Sequence, residues 1–123
     1  MDQYHEPVED LEKEDRDAVR TLMSLKEEIE AVSWYEQRAA ATDDESVIDV
    51  LGHNRDEEIE HACMVLEWLR RNMDGWDEEL RTYLFTEAPI SEIEELEEGE
   101  AEGEGEGEEK EEDGPEDLGL GSL

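Results

Sequence analysis

Residues 27–61 read EEIEAVSWYEQRAAATDDESVIDVLGHNRDEEIEH and set the architecture of this chain. Apolar side chains recur there at steps of three and four residues, on both sides of a break at residues 42–45. Residues at these steps share one face of a helix, so the spacing predicts two amphipathic helices. The break reads as a capping box, in which Thr42 accepts from an early backbone N–H and Glu45 reaches back.

The same periodicity extends outward from this segment in both directions. It predicts a first helix over about 8–41, with Pro7 suited to its first turn, and a second helix that ends near Asn72. A shorter third helix over about 76–85 follows, and no strand pattern competes. Because so short a connection joins two helices of roughly 30 residues, they should lie antiparallel, and the predicted fold class is all-α.

Such a hairpin leaves part of each apolar stripe uncovered. Each long helix can contact only one long neighbour inside its own chain, so the sequence predicts that two hairpins pair into a ferritin-like four-helix bundle. The alternative is a monomer in which the third helix folds back over the hairpin.

The charge balance narrows the function. The 123 residues include 42 Asp or Glu and 10 Lys or Arg, for a formal net charge of -32. A charge of this size repels phosphate backbones and anionic lipid, which argues against nucleic-acid and membrane-surface binding and favours cations as partners. No apolar run approaches the roughly 20 residues of a membrane span, and the acidic start lacks the features of a secretory signal. We therefore expect a soluble protein inside the cell.

Composition also predicts the domain organisation. Residues 94–113 hold 13 acidic residues against Lys110, which predicts a disordered Glu/Gly-rich linker. Residues 1–93 form the predicted helical body, and residues 114–123 form an apolar tail. Cys63 is the only cysteine, so the chain has neither an intrachain disulfide framework nor a thiolate zinc site, and mid-helix Cys63 is expected as a small buried hydrophobe.

Candidate metal ligands interrupt the apolar stripes. Glu58 and His61 are three residues apart and share a face of the second helix. Glu28 lies in the corresponding row of the first helix, 14 residues before Thr42, whereas Glu58 lies 16 residues after it. An antiparallel hairpin sets these side chains at nearly one height. The alternative is a solvated charged face, which is common in a helix this acidic.

Dimeric di-iron bundles use one Glu on each of two helices and a Glu-x-x-His on each of the other two. This chain carries half of that set, so two copies would form a pair of metal sites across their interface. Oxygen and imidazole ligands suit Fe(II), Mn(II) or Zn(II). Two other functions stay open: a non-enzymatic iron or manganese buffer, and a structural hairpin whose acidity confers solubility.

Four segments carry a resemblance to a known family: EEIEAVSWYEQR at 27–38, HNRDEEIEHA at 53–62, LEWLRRN at 66–72 and LRTYLFTE at 80–87. The chain resembles the encapsulated ferritins from about His5 to Ile90. The resemblance implies a ferroxidase that oxidises Fe(II) with dioxygen at a di-iron centre on a dimer interface. It assigns the catalytic ligand positions to Glu28, Glu58 and His61.

The resemblance also implies roles around that centre. It places Glu27 and Glu30 at a site through which metal enters, with Trp34 beside it and Tyr35 near the irons. The family forms a homodecameric ring of five dimers and stores no mineral on its own. Iron storage would then take place in the lumen of an encapsulin nanocompartment in the cytoplasm.

The last ten residues, GPEDLGLGSL, look like the cargo-loading peptide of encapsulin shells. Leu118, Leu120 and Leu123 would dock on the shell protein, because spaced apolar anchors in a short peptide fit grooves. The alternative is a frayed terminus. His5 has no expected metal role, and His53 could either orient a ligand or face a neighbouring subunit.

Overall fold

The computed structural model describes residues 3–104 of the chain, and these residues contain helices and turns but no strand. Four α-helices follow one another: α1 Lys13–Ala41, α2 Glu45–Asn72, α3 Trp76–Tyr83 and α4 Ile93–Glu104. Short 3-10 turns cover Val8–Asp10 and Ile90–Glu92. The all-α class and the antiparallel hairpin are confirmed. The chain forms two compact units, one up to Leu80 and one from Arg81.

The start of α1 differs from the prediction. Residues 8–10 form a separate 3-10 turn, and α1 begins at Lys13. The Asp15 carboxylate accepts from the backbone N–H of Glu12 at 3.2 Å, and the Glu12 side chain accepts in return from the backbone of Asp15. This reciprocal cap satisfies N–H groups that a helix end leaves without partners.

The predicted cap of α2 is wrong in its residues. Asp44, in an extended conformation, is the capping residue, and its Oδ1 accepts from the backbone N–H groups of Ser46 at 2.9 Å and Val47 at 3.3 Å. Thr42 Oγ1 accepts instead from the backbone N–H of Asp44, at 3.2 Å. The helix begins at Glu45, so only Asp44 stands at the position from which a side chain reaches the first free N–H groups.

The core of the α1–α2 hairpin is shallow. No residue of α1 is fully buried, and Leu69 is the only fully buried residue of α2. Large apolar side chains stay accessible along the pair, such as Ile29 at 55% and Ile59 at 45% exposure. The hairpin therefore does not bury its apolar stripes within one chain.

Charged hydrogen bonds connect the end of α2 to α3. Glu67 accepts from Arg70 at 2.9 Å and from Arg71 at 2.6 Å, and Arg70 also donates to Asp77 of α3. The sequence predicted only a favourable interaction of both arginines with the dipole of α2. Hydrogen bonds from the two arginines lower the pKa of Glu67 to about 2.

This lowered pKa predicts a pH dependence of folding. The unfolded glutamate has a pKa near 4.5, so between pH 4.5 and about 2 the unfolded chain binds the extra proton. The stabilisation from Glu67 is complete above pH 4.5 and is lost as the pH falls toward 2. Urea unfolding of the wild type and Glu67→Gln should therefore give a stability difference that shrinks over this range. A difference that stays constant with pH, as expected for the control Glu60→Gln, would contradict the prediction.

The second unit corrects the predicted start of the linker. Residues 94–104 belong to α4 and not to an extended segment. Glutamate has a high helix propensity, and Glu94 and Glu95 lie in the first turn, where the helix dipole favours negative charge. The rest of the predicted linker, residues 105–113, and the tail 114–123 lie outside the described residues. Among the helices described, none combines the length and the apolar character that crossing a bilayer requires.

Candidate metal centre

Three side chains from α1 and α2 meet on the hairpin. Glu28, Glu58 and His61 each offer a ligand atom, and these atoms all lie within 4.8 Å of one another. The connection between the helices is residues 42–44, so Glu28 and Glu58 each lie 15 residues from its middle residue, Asp43. The two carboxylates are therefore level, and His61 follows Glu58 by one turn. The predicted meeting of these three residues is confirmed as geometry.

The imidazole lies beside both carboxylates. His61 Nδ1 is 3.6 Å from Glu28 Oε1 and 3.5 Å from Glu58 Oε1. The two glutamate side chains are about one quarter exposed, whereas that of His61 is 48% exposed. The cluster is thus partly sheltered by the helices and open on the side of the imidazole.

The closeness of the two carboxylates affects protonation. A hydrogen bond with Glu58 is the main cause that raises the pKa of Glu28 above its ordinary value, and desolvation and the negative charge of Glu58 raise it further. His61 acts in the opposite direction. Two carboxylates at this separation repel each other when both are ionised, and a divalent cation between them would remove that repulsion.

The donor set fits a transition metal. Two carboxylates and one imidazole combine hard oxygen ligands with a nitrogen ligand, which suits Fe(II), Mn(II) or Zn(II) better than Ca(II) or Mg(II). Three side chains leave coordination positions free on any ion that they hold. This cluster can therefore bind a divalent cation and leave it accessible to further ligands.

Comparison with known proteins agrees with this geometry. A family model described as EncFtn-like matches residues 3–87. The chain belongs to the EncFtn-like family. It is 69% identical over 98 residues to a ferritin-like protein of Thermotoga maritima, covering 80% of this chain and 86% of the relative. It is 50% identical over 120 residues to an encapsulated ferritin-like protein of Rhodospirillum rubrum, covering 97% of this chain and 86% of the relative.

A solved structure supports the fold of this EncFtn-like chain. The crystal structure of protein ne0167 from Nitrosomonas europaea superposes with a TM-score of 0.71 at 51% sequence identity. The match covers 73% of this chain and 99% of that one.

Other predicted residues of the EncFtn-like chain lie outside the cluster. Glu27 and Glu30 are exposed on α1, and Trp34 is 52% exposed. Tyr35 is half-buried, and the guanidinium of Arg38 lies 5.5 Å from the centre of its ring. The roles implied for these residues by resemblance stay predictions.

Two residues that the sequence left open now have neighbours. His53 Nε2 lies 3.2 Å from Glu57 Oε2, and both side chains are exposed. Cys63 was expected to be buried but is exposed, because it lines an open apolar groove between α1 and α2. Neither residue contributes to the cluster.

Sequence reasoning missed a charged pair between the two helices. Arg55 of α2 donates to Glu36 of α1 at 2.9 Å. Both residues lie within the segments that carry the family resemblance, but neither interrupts the apolar pattern in a way that marks it. A search for opposite charges at matched heights of the hairpin could have found the pair.

Proposed function

We propose that this protein is a ferroxidase, which oxidises Fe(II) to Fe(III) with dioxygen as the electron acceptor. The proposal rests on the cluster of Glu28, Glu58 and His61, whose ligand atoms lie within 4.8 Å of one another. Membership of the EncFtn-like family and the ferritin-like names of the relatives support iron as the substrate. The donor set alone would also accept manganese or zinc.

A second copy of the chain would complete the centre. One hairpin supplies two carboxylates and one imidazole, and its cluster is open on the side of His61. Two copies related by a two-fold axis would supply four carboxylates and two imidazoles, enough for two adjacent ions. The shallow core of the hairpin supports such pairing, because large apolar side chains of α1 and α2 stay accessible in one chain. The implied ring of five such dimers belongs to the same proposal.

Each residue has a distinct task in this reaction. Ionised Glu28 and Glu58 hold the Fe(II) substrate and balance its charge, and neutral His61 donates a nitrogen lone pair. Two Fe(II) ions held side by side would each release one electron to dioxygen. Glu28 must lose its proton before it can bind metal, so its raised pKa makes iron binding weaken at a higher pH than an ordinary glutamate would cause.

The neighbouring residues would serve delivery and storage. The exposed carboxylates of Glu27 and Glu30, with Trp34 beside them, would attract Fe(II) before it reaches the centre, and Tyr35 would lie near the irons. The Rhodospirillum rubrum relative is named as encapsulated. By that likeness, Leu118, Leu120 and Leu123 would dock on an encapsulin shell protein, and the Fe(III) product would be stored in the shell lumen.

Oxygen addition after anaerobic loading tests the proposed activity. Purified protein is loaded with Fe(II) without oxygen, oxygen is then added, and the rise of Fe(III) absorbance is followed in time. A ferroxidase should produce Fe(III) much faster than the same Fe(II) in buffer, because it holds two ions next to the oxidant. A rate equal to that of buffer would support a non-enzymatic metal buffer. No stoichiometric iron and a mass indifferent to Fe(II) would support the structural hairpin.

A further inference from the structure

A charged pair joins α1 and α2 close to the proposed metal centre. Arg55 Nη1 donates to Glu36 Oε1 at 2.9 Å, and the Nε and Nη2 atoms of Arg55 donate to Asp56 Oδ1 at 3.2 and 3.1 Å. Within residues 3–104, this is the one hydrogen bond between side chains that connects the two helices. Arg55 is one turn before Glu58 on α2, so the pair lies between the connection 42–44 and the metal centre.

The directions of the side chains explain how the pair forms. Counted from Asp43, Glu36 lies seven residues back and Arg55 twelve residues on. The backbones of these two residues therefore differ by five residues in height, which is roughly 7 to 8 Å of helix rise. Side chains tilt toward the N-terminus of their own helix, so in an antiparallel pair they lean toward each other here. The long arginine spans the remaining distance.

The metal centre requires a device of this kind. The three ligand atoms meet within 4.8 Å, which is less than one helical turn, so a small slide or rotation of α1 against α2 would separate them. Half-buried apolar contacts hold these helices, and such contacts do not fix one register as strongly as an interlocked core. The carboxylates of Glu28 and Glu58 also repel each other before a cation arrives. A directional contact nearby opposes that repulsion.

We propose that Arg55 is a positioning residue that, through Glu36, holds Glu58 and His61 opposite Glu28 before metal binds. This inference rests on the proposed metal centre. The Arg55 side chain is 32% exposed and that of Glu36 is 62% exposed, so the pair adds little to the free energy of unfolding. Its effect is expected in the affinity and geometry of the metal site.

Binding of Co(II) to the full chain tests the inference without any measurement of iron oxidation. The variants are Arg55→Gln, Glu36→Gln and the combination of both. Each single variant should raise the Kd for Co(II) about 10-fold, as the loss of residues that orient metal ligands commonly does. The visible absorption bands of bound Co(II) should also change. The double variant should resemble either single one, because the two residues act as one unit.

Arg20→Gln is the matched control. Arg20 pairs with Asp17 at 2.7 Å within α1, so its loss removes an ion pair without affecting the contact between the helices. All variants are compared at one protein concentration, with helicity measured by circular dichroism.

Two outcomes would overturn the inference: single variants with the Kd and the spectrum of Arg20→Gln, or effects that multiply in the double variant. If Arg55→Gln fails to fold, Glu36→Gln decides alone. Failure of the proposed metal centre itself looks different, because the wild type and His61→Ala would then bind Co(II) equally.

Discussion

Alanine at Glu28, Glu58 or His61 is expected to slow the oxidation of Fe(II) by more than about 100-fold. Loss of a residue that merely orients a metal ligand already costs about 10- to 100-fold, and these variants remove the ligand itself. In a two-fold assembly each substitution is present in both halves of the centre, so both ions are affected. Stopped-flow absorbance of Fe(III) after oxygen addition gives the rate.

Two variants on the same helix serve as controls. His53→Ala removes a histidine that pairs with Glu57, and Glu60→Ala removes an exposed carboxylate next to His61 in sequence. Both should oxidise iron at nearly the rate of the wild type. Rapid oxidation by all three cluster variants would exclude the assignment of the centre.

Stability without metal separates loss of function from loss of fold. Glu28→Ala removes one of two carboxylates that repel each other, so the metal-free variant should unfold at the same or a higher urea concentration than the wild type. Added Co(II) should stabilise the wild type and not the variant, because a ligand that binds only the folded state shifts unfolding. A metal-free variant that is already unfolded would give no information on the ligands, and Glu28→Gln would replace it.

Deletion of residues 114–123 is expected to abolish loading into encapsulin shells while sparing iron oxidation. The deleted segment contains Leu118, Leu120 and Leu123, and none of the three cluster residues. Apolar anchors of a tethered peptide supply the binding free energy, so their loss should leave the cargo outside the shell. The measurement is co-expression with the shell protein, followed by size-exclusion chromatography and analysis of the cargo in the shell fraction.

Two further chains sharpen this experiment. Serine at all three leucines should abolish loading as the deletion does, because it removes only the anchors. Deletion of the ten linker residues 104–113, with the tail kept, should preserve loading. Efficient loading of the chain that lacks 114–123 would exclude the docking proposal, whereas iron oxidation that disappears with the tail would indicate a role for the tail in the assembly of the centre.

Apolar periodicity and one count along the chain were enough to predict the hairpin and its cluster. The 3- and 4-residue steps predicted α1 and α2, and equal distances from the connection predicted that Glu28 meets Glu58. The caps were harder, because Thr42 and Asp44 are both good capping residues and the backbone conformation decides between them. Charge composition alone was misleading for α4, since glutamate favours a helix even where the charges repel.

Contacts of long charged side chains could not be predicted. Arg70 and Arg71 each have several acidic residues within reach in so acidic a chain, and only the packed structure shows that both donate to Glu67 and that Arg70 also reaches Asp77. The same holds for Arg55 and Glu36. The exposure of Cys63 depends on the groove between α1 and α2, which a pattern of single residues does not describe.

The three-residue connection between α1 and α2 restricts how the length of this chain can vary. One residue inserted between Glu28 and Thr42 would turn Glu28 by about 100° around its helix axis and raise it by about 1.5 Å. An equal insertion in α2 would turn Glu58 and His61 the opposite way relative to the connection. Length changes compatible with metal binding are therefore confined to the segments before Glu28 and after His61, where a protein engineer can attach tags or extra domains.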